Sequence, residues 1–534
     1  MPCGYRFGGF VKLRLYSAVG LCAVTTGLLA ACGGSGGSVS SAASDTLIVE
    51  TSFNLKTSDP GRMFEPTGLL VDRAIYDTLL TFKNGDMTKP VPDLAASYTA
   101  SADAKTFTFK LRPDAVFADG APVTASDVVF SLQRVTNLKG NPSFLMSGIT
   151  VSAPDKGTVV LSSKTPNPVI PFIVPNPALG ILNSKVVKAA GGSDAADADK
   201  SDKAEAALNK ASAGSGPYIL QSFSTASSVQ LTRNPKYWGT KPKYQSIVVR
   251  NVAANVQKLD VLKQASQIAV DLSPAQAQGL TGVNVERGAS PNVFFVYTNA
   301  SPSVSKATSN PDFQEAVRYG IDYQGLLQLA GTGSLQAAGV VPSMFLGSLS
   351  QSQGVQRDGA RAKAALAKSG LGHPTVTMSY PSDLQVNGLS FGDLAARVKQ
   401  NLAEVGITVT LKPAPTQTAL DTYRNGKDQM GLWYWGPDFP DPSDYLAFLP
   451  GATVGERAKW AKGADTALET MGAKAQQTTD NDARKALYEQ IQQKLNVRSP
   501  FMPLIQPAQL LVSVKSVSNV HSNALWELDL SDVG

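Results

Sequence analysis

The stretch that decides the fold is KTFTFKLRPDAVFADGAPVTASDVVFSLQR, residues 105–134, because it contains a strand, a turn and a helix start in succession. Apolar and polar residues alternate at its beginning, which places Phe107, Phe109 and Leu111 on one face of a strand. An Asp-Gly pair follows and is typical of a turn. Thr124 then precedes a run of helical periodicity, with an acidic residue three positions later, as at a capped helix start. The stretch predicts mixed α/β structure.

Strand and helix patterns alternate along the rest of the chain. The β-branched run TLIVETSF, residues 46–53, predicts an opening strand, and NVFFVYTNAS, residues 292–301, predicts a buried one. DLAARVKQNLAEVGITVTLKP reads as a helix, a stop at Gly406 and a strand, an order typical of an α/β lobe. FMPLIQPAQLLVSV, residues 501–514, predicts a strand near the C-terminus. We therefore expect two mixed α/β lobes with more than one chain crossing, one of them in the polar loop after residue 301, and a ligand cleft between them.

Composition and charge fit a globular protein of more than one domain. The chain has 534 residues, of which 43% are hydrophobic and 17% are charged. The formal net charge is +6, but Arg6, Lys12 and Arg14 all precede the first acidic residue, Asp45. Without residues 1–31 the chain carries about +3 and has no basic run, so we expect no nucleic-acid partner.

The N-terminus has the pattern of an export signal. Its basic residues precede an apolar run, residues 16–31, that is short for a permanent transmembrane helix. The run ends in Leu29-Ala30-Ala31-Cys32, which resembles the lipobox of bacterial lipoproteins, in which the cysteine is diacylated and becomes the first residue. The alternative is an ordinary secretory signal followed by a chance cysteine. We expect Cys32 to be lipidated and this lipid to be the membrane contact.

Motifs typical of catalytic or metal sites lack the context that they need. GGSGG, residues 33–37, fits a nucleophile-elbow pattern but lies in a flexible Gly/Ser linker. Ser303 and Lys306 fit a penicillin-binding pattern without its companion motifs. His373 and His521 are isolated in the sequence, and the three cysteines are in or beside the leader. We therefore predict no enzyme activity, no metal site and no cofactor.

Six short motifs follow one another along the chain: Ser58-Asp59-Pro60, IYDTLL, PDLAAS, GSGPY, RNPKYW and GITVTLK. Together with residues 105–134, they resemble the extracytoplasmic solute-binding proteins of ABC importers, in the oligopeptide, dipeptide and nickel-binding group. The resemblance covers the chain from Thr46 to the C-terminus. The chain departs from the family at Ile321-Asp322-Tyr323, where the family reads Ile-Asp-Arg. It also departs at residues 266–269, where the family reads Gly-Glu-Ile-Asp.

The resemblance implies an α/β fold of the two-lobed, periplasmic-binding-protein-like (Venus flytrap) type, with an extra subdomain inserted in lobe I. The lobes are expected to close around a solute by hinge motion. The expected boundaries are a signal peptide over residues 1–31, a lipidated tether over 32–44, lobe I over 45–80, 205–299 and 506–534, the inserted subdomain over 81–204, and lobe II over 300–505.

The run WYWGPDFPDPSDY, residues 433–445, combines aromatic residues with three aspartates. The residues from Met430 to Trp435 predict a strand that a Gly-Pro pair ends. In the peptide-binding branch that the chain resembles, an aspartate in the matching turn binds the α-ammonium of the peptide. By motif position this residue is Asp438. The alternative is a solvated turn residue, since Asp and Pro both favour turns.

The neighbours of Asp438 divide between core and cleft. Trp433 and Trp435 share one strand face, and we expect at least one of them to pack in the core. For Trp435, the sequence leaves both positions open, the core and the cleft. Asp441 and Asp444 are expected to cap a helix or a turn, since DPSD resembles a helix start.

The resemblance supplies further cleft candidates. Backbone groups from Tyr434 to Gly436 on lobe II are expected to pair with an extended peptide as an added strand. The same is expected of Phe53, Asn54 and Leu55 on lobe I. Three side chains are weaker candidates for lining the cleft: Tyr297 and Asn299 at the lobe crossing, and Phe144 in the subdomain.

The resemblance implies a monomeric receptor that captures short peptides and delivers them to an ABC permease and its ATPase subunits. It is expected at the outer face of the cytoplasmic membrane, held there by its lipid anchor. A receptor for haem, a nickel chelate, a sugar or another small solute on the same scaffold is the alternative. A lipoprotein hydrolase and an adhesive envelope protein are further alternatives, which the missing catalytic partners and the hinged cleft disfavour.

Overall fold

Residues 105–134 belong to a small subdomain in a computed structural model of the chain, which describes residues 45–534. The strand Thr106–Leu111 buries Phe107 and Phe109, as its alternation predicts, and leaves Leu111 at its end partly exposed. This strand lies in a four-stranded antiparallel sheet, whose strands in spatial order are Ala95–Ala100, Thr106–Leu111, Thr158–Ser163 and Ile149–Asp155.

The predicted helix start is confirmed. Thr124 precedes the helix Ala125–Leu138, and its hydroxyl donates to Asp127 at 2.5 Å while its backbone N–H donates to the same carboxylate at 3.0 Å. The helix has two apolar faces. Val128 and Leu132 pack in the core of the subdomain, whereas Phe130 packs in the core of lobe I. The helix therefore joins the subdomain to the lobe that carries it.

Lobe I is built on a seven-stranded sheet. Its opening strand, Thr46–Thr51, runs parallel to both of its neighbours, whose carboxyl ends therefore lie at the same edge. Leu47 and all residues from Val49 to Thr51 are buried, which suits the β-branched sequence of a central strand. In spatial order the strands are Val283–Ala289, Ala508–Val514, Ile268–Ala269, Thr46–Thr51, Ser246–Asn251, Ser228–Arg233 and Tyr218–Phe223.

Lobe II is built on a six-stranded sheet. The strand Val293–Thr298 is buried at all six positions, as its continuous apolar run predicts. The helix Phe391–Ala403 ends before Gly406, which has a φ of 95°, and a strand follows, so the predicted helix–strand order is confirmed. In spatial order the strands are Leu335–Gln336, Phe501–Gln506, Val293–Thr298, Met430–Trp435, Thr375–Pro381 and Thr408–Ala414.

Helices of eight or more residues cover the three sheets in the described part of the chain. Two of them, Pro66–Ile75 and Ala254–Leu262, accompany lobe I. Those with lobe II are Pro311–Gly320, Tyr323–Ala330, Gly359–Lys368, Phe391–Ala403, Thr416–Arg424, Thr466–Gln477 and Asn481–Val497. Within residues 45–534, none of the helices has the length and apolar character that a membrane crossing requires.

The chain crosses between the two large sheets at residues 290–292 and again at Pro507. The two crossings lie side by side, since the backbone N–H of Ser290 donates to the Pro507 carbonyl at 2.8 Å. In addition, the Gln506 side-chain amide donates to the Ser290 carbonyl at 2.7 Å. The expected boundary at residue 300 is therefore wrong by one strand, because Val293–Thr298 pairs within lobe II.

The single strand predicted over residues 501–514 is also corrected. It is two strands, Phe501–Gln506 in lobe II and Ala508–Val514 in lobe I. Pro507 separates them because proline has no N–H to donate to a sheet ladder. The sequence pattern shows the apolar run but not that the run changes sheets.

A buried ion-pair cluster holds lobe I against the subdomain. The guanidinium of Arg134, which is fully buried, donates to both oxygens of Asp59 at 2.6 Å and to Asp202 at 2.7 and 2.9 Å. Asp59 comes from the Ser58-Asp59-Pro60 motif, so this motif has a structural role. Asp202 lies in the charged, alanine-rich segment over residues 189–218, and its burial ties that segment to the core.

Candidate ligand-binding cleft

The predicted binding segments lie where parallel strands end. Lobe I has three mutually parallel strands at its centre, and residues 53–55 closely follow the carboxyl end of Thr46–Thr51. In lobe II, Thr375–Pro381 runs parallel to both Thr408–Ala414 and Met430–Trp435. Gly436 directly follows the last of these. Ligands bind outside the carboxyl ends of parallel strands, so both segments stand at edges suited to a ligand.

The strand Met430–Trp435, which the sequence predicts with these bounds, has one open edge. All six of its residues pair with Val293–Thr298 on one side. On the other side, Thr375–Pro381 pairs with it only at Met430 and Gly431. Residues 432–435 therefore have no ladder partner on that side among the described strands, which leaves main-chain groups that an extended ligand could pair with.

The aromatic residues of this strand divide between core and cleft. Trp433 is 5% exposed and stacks on Tyr423, with ring centroids 5.2 Å apart, so the expectation of one tryptophan in the core is met. Tyr434, on the other face, is partly buried against Phe294. Trp435 is partly exposed, and its indole N–H donates to Asp444 at 3.1 Å.

A second aspartate organises the turn that carries Asp438. The Asp444 carboxylate, from the 3₁₀ helix Pro442–Phe448, accepts hydrogen bonds from the Trp435 indole and from the Asp438 backbone N–H, the latter at 3.2 Å. The Asp444 side chain therefore bonds to residues that precede the helix, rather than capping the helix. The helix cap is Asp441, which accepts from the Ser443 N–H at 2.9 Å, as predicted.

Asp438 and Asp444 form a coupled pair of carboxyl groups. Burial raises the pKa of Asp438 to about 7, while a hydrogen bond from Asp444 and the charge of Arg457 oppose the rise. Burial and the nearby Asp438 carboxylate raise the pKa of Asp444 well above its usual range. The pair therefore holds a proton near neutral pH. A cation placed beside Asp438 would favour the ionised form of its carboxyl group.

The subdomain closes over the same turn. The side-chain amide of Asn176 donates to the Asp438 backbone carbonyl at 2.9 Å. The ring of Phe439 packs against the core of the subdomain. The turn that carries Asp438 is therefore held by lobe II through Asp444 and by the subdomain through Asn176.

Residues 53–55 of lobe I offer fewer free main-chain hydrogen-bonding groups than the sequence suggests. The Phe53 N–H donates to the Asn251 side chain at 3.0 Å, and the Asn54 N–H donates to the Thr67 hydroxyl at 3.0 Å. The side chain of Asn54 is exposed, while Phe53 and Leu55 pack partly against the lobe I core. Main-chain pairing here is therefore left to the carbonyl groups and to the N–H of Leu55.

Other sequence candidates lie away from the turn. Tyr297 is fully buried in lobe II, where its hydroxyl donates to Asp428 at 3.0 Å. Asn299 is also fully buried, and its amide donates to the carbonyls of Gly426 and Asp428. Both residues serve the interior of lobe II because the crossing lies at residues 290–292, and this placement does not favour a cleft role for either.

Two further candidates have contrasting surroundings. Phe144 is 42% exposed on the subdomain and packs edge-on against Phe64, with ring centroids 5.3 Å apart. Gly436 is tightly enclosed, since a Cβ there would lie 2.4 Å from the side-chain oxygen of Asn292. A side chain at position 436 would therefore have to displace the Asn292 amide, which lies at the crossing between the lobes.

A groove of about 670 Å³ opens between the lobes. Its lobe I lining includes Ser273, Pro274 and Ala275. Its lobe II lining includes Leu389 and Asp393, at the start of the helix Phe391–Ala403. Phe391 at the start of that helix packs against Tyr434, with ring centroids 6.2 Å apart. None of the residues from Trp433 to Tyr445 lines this groove, so it is a feature of the lobe boundary apart from the turn of Asp438.

Metal ligation is not supported by the described residues. Within residues 45–534, no three histidine, cysteine or acidic side chains are grouped as a metal ion would need. His521 instead lies 3.6 Å from the carboxylate of Glu286. Cys32, the predicted lipid site, lies outside the residues that the structure describes.

The sequence does not predict the groups that affect the pKa and the position of Asp438. Asp444 has the spacing of a capping residue, and nothing in the pattern distinguishes its inward orientation. Arg457 and Asn176 are far from Asp438 in sequence, and neither stands in a motif that marks a ligand site. Only the packing of three separate segments brings them to the turn.

Comparisons with known proteins agree with this architecture. The model of the bacterial extracellular solute-binding proteins, family 5 (middle), matches residues 89–456. The probable D,D-dipeptide-binding periplasmic protein DdpA of Escherichia coli K12 is 28% identical over 502 residues, which are 90% of this chain and 92% of that protein. Di/tripeptide-binding protein 2 of Pseudomonas aeruginosa UCBPP-PA14 is 25% identical, over 91% of this chain and 94% of that protein.

A solved structure has the same fold. It is the ABC transporter-associated periplasmic binding protein DppA of Helicobacter pylori in complex with the peptide STSA. It superposes with a TM-score of 0.76 at 21% identity, over 91% of this chain and 97% of that chain. The predicted two-lobed α/β fold is confirmed, and so is the prediction of a binding protein rather than an enzyme, because the matched family binds solutes. The chain belongs to family 5 of the bacterial extracellular solute-binding proteins.

Proposed function

We propose that this protein is the solute-binding component of an ABC importer and that its solute is a short peptide with a free amino terminus. The observation that carries the proposal is the Asp438 carboxyl group, partly buried beside Asp444 at the end of an open strand edge. A buried carboxylate is costly unless a cation accompanies it. Relatives named as dipeptide-binding and di/tripeptide-binding proteins, and a neighbour with bound STSA, support the same ligand class.

The peptide binds as an added strand in this proposal. Its α-ammonium ion-pairs with Asp438, and its main chain pairs with the open edge of residues 432–435. On the facing lobe, the carbonyl groups of residues 53–55 accept from the peptide N–H groups. Because these contacts are made with the main chain of the peptide, the site accepts many different peptide side chains. It requires only that the amino terminus is unblocked.

Delivery follows from closure of the lobes about the two crossings at residues 290–292 and Pro507. The closed, monomeric receptor presents its solute to a membrane permease that works with ATPase subunits. We propose that diacylation of Cys32 holds the receptor at the outer face of the cytoplasmic membrane. Mass spectrometry of the protein from its native membrane tests both points, since it detects the lipid and any co-purified solute; a haem, a nickel chelate or a sugar in place of a peptide would contradict the ligand class.

The ammonium contact is tested with matched peptides. Ala-Ala-Ala is expected to stabilise the purified protein by about 2.7 kcal/mol at a hundredfold excess over its Kd. N-acetylation of the same peptide removes the partner of a buried carboxylate, at a cost of about 3–5 kcal/mol, so we expect binding at least about a hundredfold weaker. Isothermal titration calorimetry measures both constants.

Two variants complete this test. Asp438→Asn removes the charge and keeps the shape, so free and acetylated peptides should bind it about equally. Asp421→Asn, at an exposed aspartate on the helix Thr416–Arg424, is the matched control and should keep the full difference. Equal affinity of the unaltered protein for both peptides would refute the ammonium site.

A further inference from the structure

A two-residue hairpin tip of lobe II reaches the crossing between the lobes. The short strands Gln385–Val386 and Leu389–Ser390 pair with each other, and they are joined by Asn387 and Gly388, whose φ values are 50° and 73°. Positive φ at both central residues is the geometry of a tight hairpin turn, which an Asn-Gly pair favours. Leu389 is 6% exposed and fixes the base of the hairpin in the lobe II core.

The Asn387 side chain holds this tip on the first crossing. Its oxygen accepts from the Ser290 hydroxyl at 2.7 Å and from the Asn292 amide at 3.0 Å. The Asn292 side chain also faces the end of the strand with the open edge, since a Cβ at Gly436 would overlap its oxygen. One asparagine of the crossing therefore contacts both the hairpin tip and the strand that offers its edge to a peptide.

Gly388 brings the tip against lobe I with no side chain between the two backbones. A Cβ at Gly388 would overlap the Cβ of Ser273 and lie 2.5 Å from its Cα, which is closer than carbon atoms pack. Ser273 is fixed in position, because it caps the helix Pro274–Ala277 in a capping box with Gln276. The contact therefore joins two firmly held segments, one from each lobe.

A second glycine of lobe II meets the same corner of lobe I. Gly331 has a φ of 83°, and a Cβ there would lie 2.9 Å from the Cβ of Pro274. In the same arrangement of the lobes, the Asn176 amide of the subdomain donates to the Asp438 carbonyl. We call this the closed arrangement, because lobe II then touches the lobe I side both beside the crossing and at the turn of Asp438.

We propose that Asn387 and Gly388 form a latch that stabilises the closed arrangement and couples it to the ligand-binding strand through Asn292. This rests on the proposed function, since it assumes that a peptide is bound by closure of the lobes. Gly388 meets Ser273 when the lobes close, and Asn387 keeps the tip aligned with the crossing. The latch acts on the affinity for every peptide alike and leaves the requirement for a free amine to Asp438.

Gly388→Ala tests the contact between the lobes. The added methyl group occupies the place of Ser273 and should hold the lobes apart. We expect affinity for Ala-Ala-Ala, measured by calorimetry, to fall at least about tenfold, as for an overpacked contact. The radius of gyration, measured by small-angle X-ray scattering, should exceed that of the unaltered protein both with and without the peptide.

Gly85→Ala is the matched control for this variant. Gly85 has a φ of 72°, and a Cβ there would lie 2.7 Å from the Ser522 carbonyl oxygen. The control therefore introduces the same backbone strain and a similar clash. Both of these residues lie on the lobe I side of the crossings, so Gly85→Ala should keep the affinity and the radius of gyration.

Asn387→Gly tests the bond to the crossing without straining the turn, since glycine readily adopts a positive φ. Ala-Ala-Ala should bind about two- to tenfold more weakly, while the ratio of affinities for free and acetylated peptide stays unchanged. Asn387→Asp keeps an acceptor oxygen and should bind nearly as tightly as the unaltered protein. Asn84→Gly, at the matching position of the other Asn-Gly turn, where φ is 53°, should change neither quantity.

The outcomes separate the latch from the peptide function. Unchanged affinity and radius of gyration in Gly388→Ala would overturn the latch. Loss of the free-to-acetylated ratio in Asn387→Gly would also overturn it, because Asn387 would then act on the ammonium site. Failure of Ala-Ala-Ala to bind the unaltered protein would refute the peptide function, and scattering from Gly388→Ala and Gly85→Ala without peptide would still decide the latch.

Discussion

At the scale of single residues, the site depends on carboxyl groups whose protonation the fold controls. Burial raises the pKa of Asp438 to about 7, and burial together with the Asp438 carboxylate raises the pKa of Asp444 well above its usual range. A receptor for an ammonium group needs Asp438 ionised, and the α-amino group of a peptide is itself protonated below a pKa of about 7.7–8.0. The window in which both partners are charged is therefore narrow and lies near neutral pH.

Peptide affinity should therefore depend on pH. Because the pKa of Asp438 is raised, the carboxyl group is neutral below pH 7 and ionises as the pH rises through 7. An ammonium ligand must displace the proton, so affinity for Ala-Ala-Ala should fall about tenfold between pH 7.5 and pH 6, and should fall again above pH 8 as the ligand amine loses its proton. Calorimetry across this range measures the profile. In Asp438→Asn the fall below pH 7 should vanish, and a flat profile in the unaltered protein would contradict an ionisable contact.

How far the sequence predicts this site is clear from Asp438 and its neighbours. The strand and the turn are local patterns, so Asp438 could be placed from about a dozen residues. Arg457, whose charge opposes the rise of its pKa, and Asn176, which donates to its carbonyl, come from segments that only tertiary packing brings together. For Asp444 the difficulty is another one. Its position in the sequence fits a helix cap, but its carboxylate accepts a hydrogen bond from the Trp435 indole instead.

At the scale of structural elements, strands and helices that follow from local periodicity are predicted best. Pairing between segments that are distant in the sequence is predicted worst. The strand and capped helix of residues 105–134 follow from alternation and capping chemistry, both of which act within a few residues. The run over residues 501–514 does not reveal that Pro507 sends its halves to different sheets. The burial of Arg134 between two carboxylates likewise depends on partners that are 75 and 68 residues away.

Removal of the Arg134 side chain should strongly destabilise lobe I. Arg134→Ala leaves Asp59 and Asp202 buried together without their cation, so we expect a loss of about 3–5 kcal/mol in the free energy of unfolding. Urea denaturation followed by circular dichroism measures the loss. The control is Lys368→Ala, which breaks an exposed pair with Asp312 and should change the stability far less, because solvent screens an exposed ion pair. Equal losses in the two variants would show that the buried cluster has no special weight.

At the scale of the whole molecule, the two lobes are joined at their crossings and the subdomain is joined to lobe II at the turn of Asp438. Lobes I and II meet at paired crossings, where Ser290 bonds both to Pro507 and to Gln506. The subdomain reaches the lobe II turn through the amide of Asn176. A ligand at Asp438 therefore affects a segment that is already tied to two bodies, and its affinity includes the contacts that closure forms between them.

Asn176 should accordingly contribute to affinity without contributing to ligand selection. Its side chain has two roles, since its oxygen caps a short helix at the Ala178 N–H and its amide donates to the Asp438 carbonyl. Asn176→Ser keeps a capping oxygen but is too short to reach Asp438. The loss of one hydrogen bond of about 0.5–1.5 kcal/mol should weaken Ala-Ala-Ala binding by about two- to tenfold.

The ratio of affinities for free and acetylated Ala-Ala-Ala distinguishes this role from direct recognition. The ratio should be unchanged in Asn176→Ser, because the Asp438 carboxyl group keeps its hydrogen bond with Asp444 and its proposed contact with the ligand amine. Asn425→Ala, at an exposed asparagine in lobe II, is the control and should change neither quantity. If Asn176→Ser bound as tightly as the unaltered protein, the subdomain contact would not contribute to closure. If it lost the ratio, Asn176 would act on the ammonium site itself.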